Sequence, residues 1–252
     1  VSNLTCAAAR LGQEQWCGCG VLIEGAGGTL VDCRVTGSVC KDTGWHNKGG
    51  GVAVTSSGGV VRRCIIDNNT LNVNRTSQHS GGGVYMTGGT LRGCLITGNR
   101  KYKDGSGVYA KGGTVENCTI VGNAPSTVAA TASGVYVEGA STVFRNNIVW
   151  GNTDFSGKVA KDWSVGTLTE ANVYNNDCTT AIPGENNLPV DPLFAAPADG
   201  DYRLGFSDCV DGGADQDWMT GATDLVGNQR VLCKPDMGCY ENQTGGFSLI
   251  VR

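Results

Sequence analysis

Long hydrophobic runs are missing from this chain. No apolar stretch approaches the ~18 residues of a membrane-spanning helix, so no transmembrane segment is expected. Charge is scarce as well: 17% of residues are Asp, Glu, Lys or Arg, and the net charge is -4. An acidic balance gives no basic surface for a phosphate backbone, so no nucleic-acid partner is expected. Proline is limited to 6 residues and no G-X-Y period exists, which excludes a collagen despite the glycine. Histidine occurs only at His46 and His79. With 40% hydrophobic residues and so few charges, the chain is not disordered either.

What is abundant is glycine, 40 of 252 residues, and cysteine, 12. Each interior glycine costs a helix about 1 kcal/mol relative to alanine, so long helices are excluded. Twelve cysteines suit an oxidising compartment and predict an extracellular or cell-surface location. The chain starts at Val1, not Met, so a removed leader or a longer upstream region is expected.

Two phrases repeat. One is Gly88-Gly89-Thr90-Leu91-Arg92-Gly93-Cys94-Leu95-Ile96-Thr97-Gly98-Asn99, with counterparts beginning at Gly27, Gly58, Gly112 and Gly139. The other is Gly83-Val84-Tyr85-Met86, matched at Val21, Val52, Val108 and Val135, with valine spacings of 31, 32, 24 and 27. The unit reads as a short strand, a glycine turn, a second strand, an Asn-rich turn and a variable loop. Val52 and Val54 alternate with period 2 and cannot bury their apolar side alone. Stacking the same strand from successive units gives parallel in-register sheets around one core. The predicted fold is therefore all-β, a right-handed parallel β-helix, right-handedness being the usual hand of parallel crossovers. Coils are expected over 1–204 and a loop-rich C-terminal cap over 205–252, with 191–204 as final short strands. Val1–Cys6 aligns with Val115–Ile120, which predicts that the chain begins inside a coil. That end is either a cut from a longer β-helix or an open end through which the chain self-assembles.

The repeat resembles right-handed β-helix proteins of the pectate-lyase-like superfamily, and within it bacterial surface proteins of the polymorphic outer-membrane type. Asp191-Pro192-Leu193-Phe194, Gly200-Asp201-Tyr202-Arg203-Leu204, Thr223–Arg230 and Asp236–Glu241 are similar to the end module of secreted β-helix proteins often labelled choice-of-anchor. The resemblance implies fold and export. It does not imply one activity, because the fold hosts lyases, hydrolases, adhesins and structural spikes.

Cys33, Cys64, Cys94 and Cys118 share one repeat position. Stacked at ~4.8 Å they point in parallel, which suits a disulfide poorly and predicts a buried thiol column. Cys17-Gly18-Cys19 lacks a second pair, so no zinc site is expected. Disulfide candidates are Cys6, Cys17, Cys19, Cys40, Cys178, Cys209, Cys233 and Cys239, and Cys209 is expected to pair with Cys233 or Cys239.

The candidate ligand-binding residues are Trp45, His46, Arg75, His79, Tyr102 and Asp104, which fall in the variable loops before equivalent valines. A Trp ring beside amides and charges can stack on a pyranose, and Lys41, Lys48, Arg75, Lys101 and Lys103 can hold an anion. No metal or catalytic constellation is expected, since Asp32, Asp67, Asp104 and Glu116 are scattered. Asp208, Asp211, Asp215, Asp217 and Asp224 read as turn-forming acids, with loop Ca2+ as the one cofactor left open. The expected function is a non-enzymatic extracellular or cell-surface module for adhesion, structural assembly or glycan contact, with polysaccharide or other surface proteins as partners. The alternative is a polysaccharide lyase or glycoside hydrolase acting on an acidic polysaccharide.

Overall fold

The computed structural model describes residues 20–40, 48–71, 81–101, 105–126 and 133–244, together with the backbone strand Thr5–Ala7. Parallel strands from successive coils stack into four sheets. A valine sheet holds Val21–Ile23, Val52–Val54, Val84–Met86, Val108–Ala110, Val135–Val137 and Trp163–Val165. An arginine sheet holds Thr29–Val31, Val60–Arg62, Thr90–Arg92, Thr114–Glu116, Val143–Arg145 and Val173–Tyr174. An isoleucine sheet runs from Thr5–Ala7 through Arg34–Thr36, Ile65–Asp67, Leu95–Thr97, Thr119–Val121 and Ile148–Trp150 to Asp177–Cys178. A short sheet holds the two-residue strands Val39–Cys40, Thr70–Leu71, Arg100–Lys101 and Ala124–Pro125. The expected all-β parallel solenoid is therefore the observed one.

Pairing follows the alignment of the repeats, as in Val84 with Val52 and Val108. Cys6 pairs with Val35, which places it in the row of Ile66, Ile96 and Ile120 and so in the expected register. Alternation sends Val61, Leu91, Val115 and Phe144 inward, all fully buried. The core rows bury one aliphatic or aromatic side chain per coil at about 1.5–3 kcal/mol each.

The longer repeat phrase, Gly88–Asn99 and its counterparts, holds not one strand but two, as in Thr90–Arg92 and Leu95–Thr97. The residue before each cysteine adopts left-handed backbone: Asp32, Arg63, Gly93 and Asn117, followed by Asn146 and Asn175 in later coils. That conformation turns the chain from the arginine sheet into the isoleucine sheet, and Asn and Gly tolerate it best. At the next corner the work is divided. Asn68, Gly98, Gly122 and Gly151 take the left-handed conformation. The following Asn69, Asn99, Asn123 and Asn152 point inward and form an amide ladder that ends on Asp162.

After Cys178 one more irregular turn stacks, with Glu185 bridging Tyr174 and Leu188 bridging Asp177 in parallel, and beyond Val190 the chain leaves the stack. Phe194–Ala196 and Asp201–Leu204 are strands, but they pair antiparallel as a hairpin rather than adding a coil. The remainder lies against the side of the solenoid over the isoleucine sheet. Its anchors are the corner asparagines: Asn117 Nδ2 donates to Asp236 O, Asn146 exchanges two bonds with Ala214, and Asn175 Nδ2 donates to Gly212 O. Outward Leu95 and Val121 pack on Cys239 and Tyr240, and Ile148 packs on Leu204, Cys209 and Met237. Among the described residues no helix is long and apolar enough to cross a membrane.

Candidate functional site

The six loop residues expected to bind a ligand, Trp45, His46, Arg75, His79, Tyr102 and Asp104, all lie outside the described residues, as do Lys41 and Lys103. The structure does describe the valine sheet, whose strands follow those loops in the sequence. The middle residue of each valine-sheet strand points outward, and three consecutive coils carry tyrosine there. Tyr85 stacks on Tyr109 at 5.7 Å between centroids, and Tyr109 on Tyr136 at 5.2 Å, with rings nearly parallel. Lys48 Nζ lies 5.2 Å from the Tyr85 ring and Lys101 Nζ 5.9 Å from that of Tyr109. Tyr109 donates to Glu138, whose other oxygen lies 3.9 Å from Lys111 Nζ. Burial, with Glu138 nearby, raises the Tyr85 phenol above its ordinary range. The Gly-Val-Tyr phrase contained this ladder, but in the sequence it registers only as repetition.

A second site lies where the coils meet the C-terminal hairpin. Trp150, last residue of its isoleucine-sheet strand, points outward in register with Val121 and Thr97. Phe194 and Tyr202 of the hairpin meet edge-to-face at 5.3 Å, and the Tyr202 hydroxyl is 3.5 Å from Thr97 Oγ1. Between hairpin and coil runs a groove of about 430 Å³, lined by Trp150, Tyr202, Phe194, Pro197 and Asp191. Gly122 and Gly151 at the coil corners leave its floor at backbone level. Asp191 is exposed, and its Oδ1 accepts the Leu193 N–H. Three half-buried rings and one carboxylate around an open groove suit an amphipathic ring rather than an ion. Sequence reading missed this site because each half is unremarkable until the hairpin folds back. A larger depression of about 700 Å³ on the outer part of the C-terminal segment is lined by Asp215, Asp217, Thr220, Thr223 and Gln229, without aromatic rings.

Cys33, Cys64, Cys94 and Cys118 form the expected column of buried free thiols. Each thiol donates to the carbonyl two residues earlier, such as Cys94 to Arg92 O at 3.2 Å. Burial holds the Cys94 thiol well above its ordinary value. The column continues as Asn147 and Asn176, where an amide replaces the thiol.

The expected pairing of Cys209 with Cys233 or Cys239 is corrected: all three are free. Cys209 packs with Ile148 and Met237, Cys239 with Leu95 and Val121, and Cys233 is exposed on a tight turn. The three sulfurs thus occupy different surroundings. Cys178 is also free, while Cys40 is disulfide-bonded, with its partner outside the described residues. No group of three or more His, Cys, Asp or Glu among the described residues is placed to hold a metal ion. Asp224 instead accepts the backbone N–H groups of Val226, Asn228 and Glu241, and Asp211 accepts that of Lys234.

Stacked parallel coils with an inward amide ladder define a β-solenoid. Residues 13–178, about two thirds of the chain, match the family model described as the right handed beta helix region, and the chain belongs to that family. No curated protein and no solved structure gives a match.

Proposed function

We propose that the chain is a non-enzymatic extracellular or cell-surface module, of the bacterial surface type its repeats resemble, that holds glycan in the groove between coils and hairpin. The observation that carries this reading is the trio Trp150, Phe194 and Tyr202 around about 430 Å³ beside Asp191. The C–H faces of a pyranose meet the negative face of an aromatic ring, and a carboxylate and backbone groups accept hydroxyl protons. The in-register coils give this surface a rigid base, which lowers the ordering cost of binding.

Affinity electrophoresis against a panel of neutral and acidic polysaccharides tests it. Retardation by at least one polymer is expected, weakened about tenfold or more in Trp150→Ala and clearly reduced in Tyr202→Phe, which keeps the ring packing. Absence of retardation across the panel, or retardation equal in both variants, overturns the reading.

One observation bears on the rival, a carbohydrate-active enzyme on an acidic polysaccharide: Glu138, hydrogen-bonded to the fully buried Tyr109 and beside Lys111, is a partly exposed carboxylate next to a cation. Release of unsaturated products or reducing ends, abolished in Glu138→Gln, would establish it instead.

A further inference from the structure

The outer face of the arginine sheet carries charge in register. Arg62, Arg92, Glu116 and Arg145 follow one another on successive coils. Glu116 is fully buried and serves two of them, accepting from Arg92 Nε at 2.6 Å and from Arg145 Nη2 at 2.6 Å. Arg63, at the adjoining corner, is bound in two places by Asp32. Arg62 makes no ion pair or side-chain hydrogen bond among the described residues. The row therefore ends in a guanidinium that has its charge but not a carboxylate.

The C-terminal segment closes over this end. Trp218 lies on the Arg92 guanidinium, 4.1 Å from its centre. Arg230 is 2% exposed; its Nη1 donates to Tyr240 O, its Nη2 to Asp236 O, and Glu241 is 3.7 Å away. Those contacts use the far end of the side chain. Arg230 Nε and Trp218 Nε1 are both buried and have no hydrogen-bond partner. Both residues line a cavity of about 70 Å³ together with Arg62, Arg63 and Arg92. Asp224 lines it too, but its two oxygens already accept four N–H groups.

A buried N–H without an acceptor is costly, and two at one cavity call for an occupant. Arg and Trp nitrogens are donors only, so the occupant that satisfies them must accept. Of the four guanidiniums lining the cavity, Arg63, Arg92 and Arg230 face Asp32, Glu116 and Glu241, so the charge left over is that of Arg62, which favours a negative occupant whose oxygens match its planar fork. The volume is about that of two water molecules, enough for one small ion and too little for a sugar ring. We propose that this pocket binds one tetrahedral oxyanion, a sulfate or phosphate group, free or carried as an ester at the end of a saccharide. The site shares no lining residue with the aromatic groove and does not depend on the glycan reading.

The test is a titration of the intact chain, isotopically labelled at nitrogen, with sodium sulfate and with sodium phosphate at constant ionic strength, following the tryptophan indole N–H resonances. One resonance, identified by its absence in Trp218→Phe, is expected to shift saturably. Arg62→Gln, on the sheet surface, is expected to raise the half-saturation concentration about tenfold or more with an unchanged melting temperature. A sulfated disaccharide and its desulfated parent form the second arm. Tighter binding of the sulfated sugar than of free sulfate assigns the group to a saccharide, and equal binding assigns the free ion. No shift with any anion, a shift reproduced by chloride, a response to the desulfated sugar equal to the sulfated one, or an unaltered Arg62→Gln each overturns the proposal.

Discussion

Asn99→Leu tests the amide ladder that holds the coils in register. Asn99 is fully buried, and its Oδ1 accepts both the backbone N–H and the side-chain Nδ2 of Asn69, each at 3.0 Å. Leucine nearly conserves the volume, so the cavity contribution is small. What is lost is the Nδ2 donor to Ile66 O and Asn123 Oδ1, the latter still accepting the Asn99 backbone N–H, and above all the Oδ1 acceptor, leaving two buried donors on Asn69 unpaired. Each costs about 1–3 kcal/mol, so the expected destabilisation is about 4 kcal/mol. For a chain of this size that corresponds to a fall in Tm of about 8–16 °C. The control is Asn68→Gly one residue away. Asn68 is exposed, left-handed at φ 54, and donates its amide only to neighbouring Asp67, so glycine is expected to change stability by about 0.5 kcal/mol or less. Urea denaturation gives both values, and amide hydrogen exchange locates the loss, since a stacked array can open coil by coil. Faster exchange at Asn69 N–H is expected in Asn99→Leu. A loss below about 1 kcal/mol, or equal to that of Asn68→Gly, refutes the assignment of this energy to the ladder.

Burial raises the Asp177 carboxyl to about 7, above the ~3.9 of an unfolded chain. The folded state thus binds more protons between about pH 4 and 7, and this residue's contribution to stability falls as pH rises through that window. Asp177→Asn is expected to gain roughly 2–3 kcal/mol on the wild type between pH 5 and 8, read from urea midpoints; parallel profiles refute it. Gly107→Ala would place its Cβ 2.5 Å from Gly134 O and 2.8 Å from Ile120 Cγ2, so a loss of about 2 kcal/mol or more is expected on unfolding. Gly151→Ala meets no atom within 4 Å and carries only left-handed strain, about 1 kcal/mol, so equal losses refute the steric argument. Alkylation of the native chain followed by peptide mapping is expected to label exposed Cys233 well before Cys64, Cys94 or Cys239, the last raised to about 12 by burial. Comparable labelling rates would count against the buried column.

The coil was legible in the sequence because its contacts recur at the repeat spacing. Val52, Val84 and Val108 align in the sequence and pair in the sheet, and the shared position of Cys33, Cys64, Cys94 and Cys118 becomes a column in space. The C-terminal segment was not legible in this way, because its partners are remote. Asn117 meets Asp236 and Thr119 meets Cys239 across about half the chain, with no repeat to carry the pairing. One signal did exist. The residue before the column cysteine is Asp32, Arg63 and Gly93 in the early coils, and Asn117, Asn146 and Asn175 in the later ones. All six meet the same backbone requirement, which Gly or Asn meets with least strain. The late asparagines do something more: their amides face outward and bind Asp236, Ala214 and Gly212. The change from mixed residues to asparagine therefore marks where a second layer begins. Both proposed binding sites lie along that layer's border with the coils. There side chains fixed by the repeat, Trp150 and Arg92, meet side chains delivered by the irregular segment, Tyr202 and Trp218. A repeat alone presents the same face on every coil; the laid-back segment breaks that equivalence and lets one coil hold what its neighbours do not.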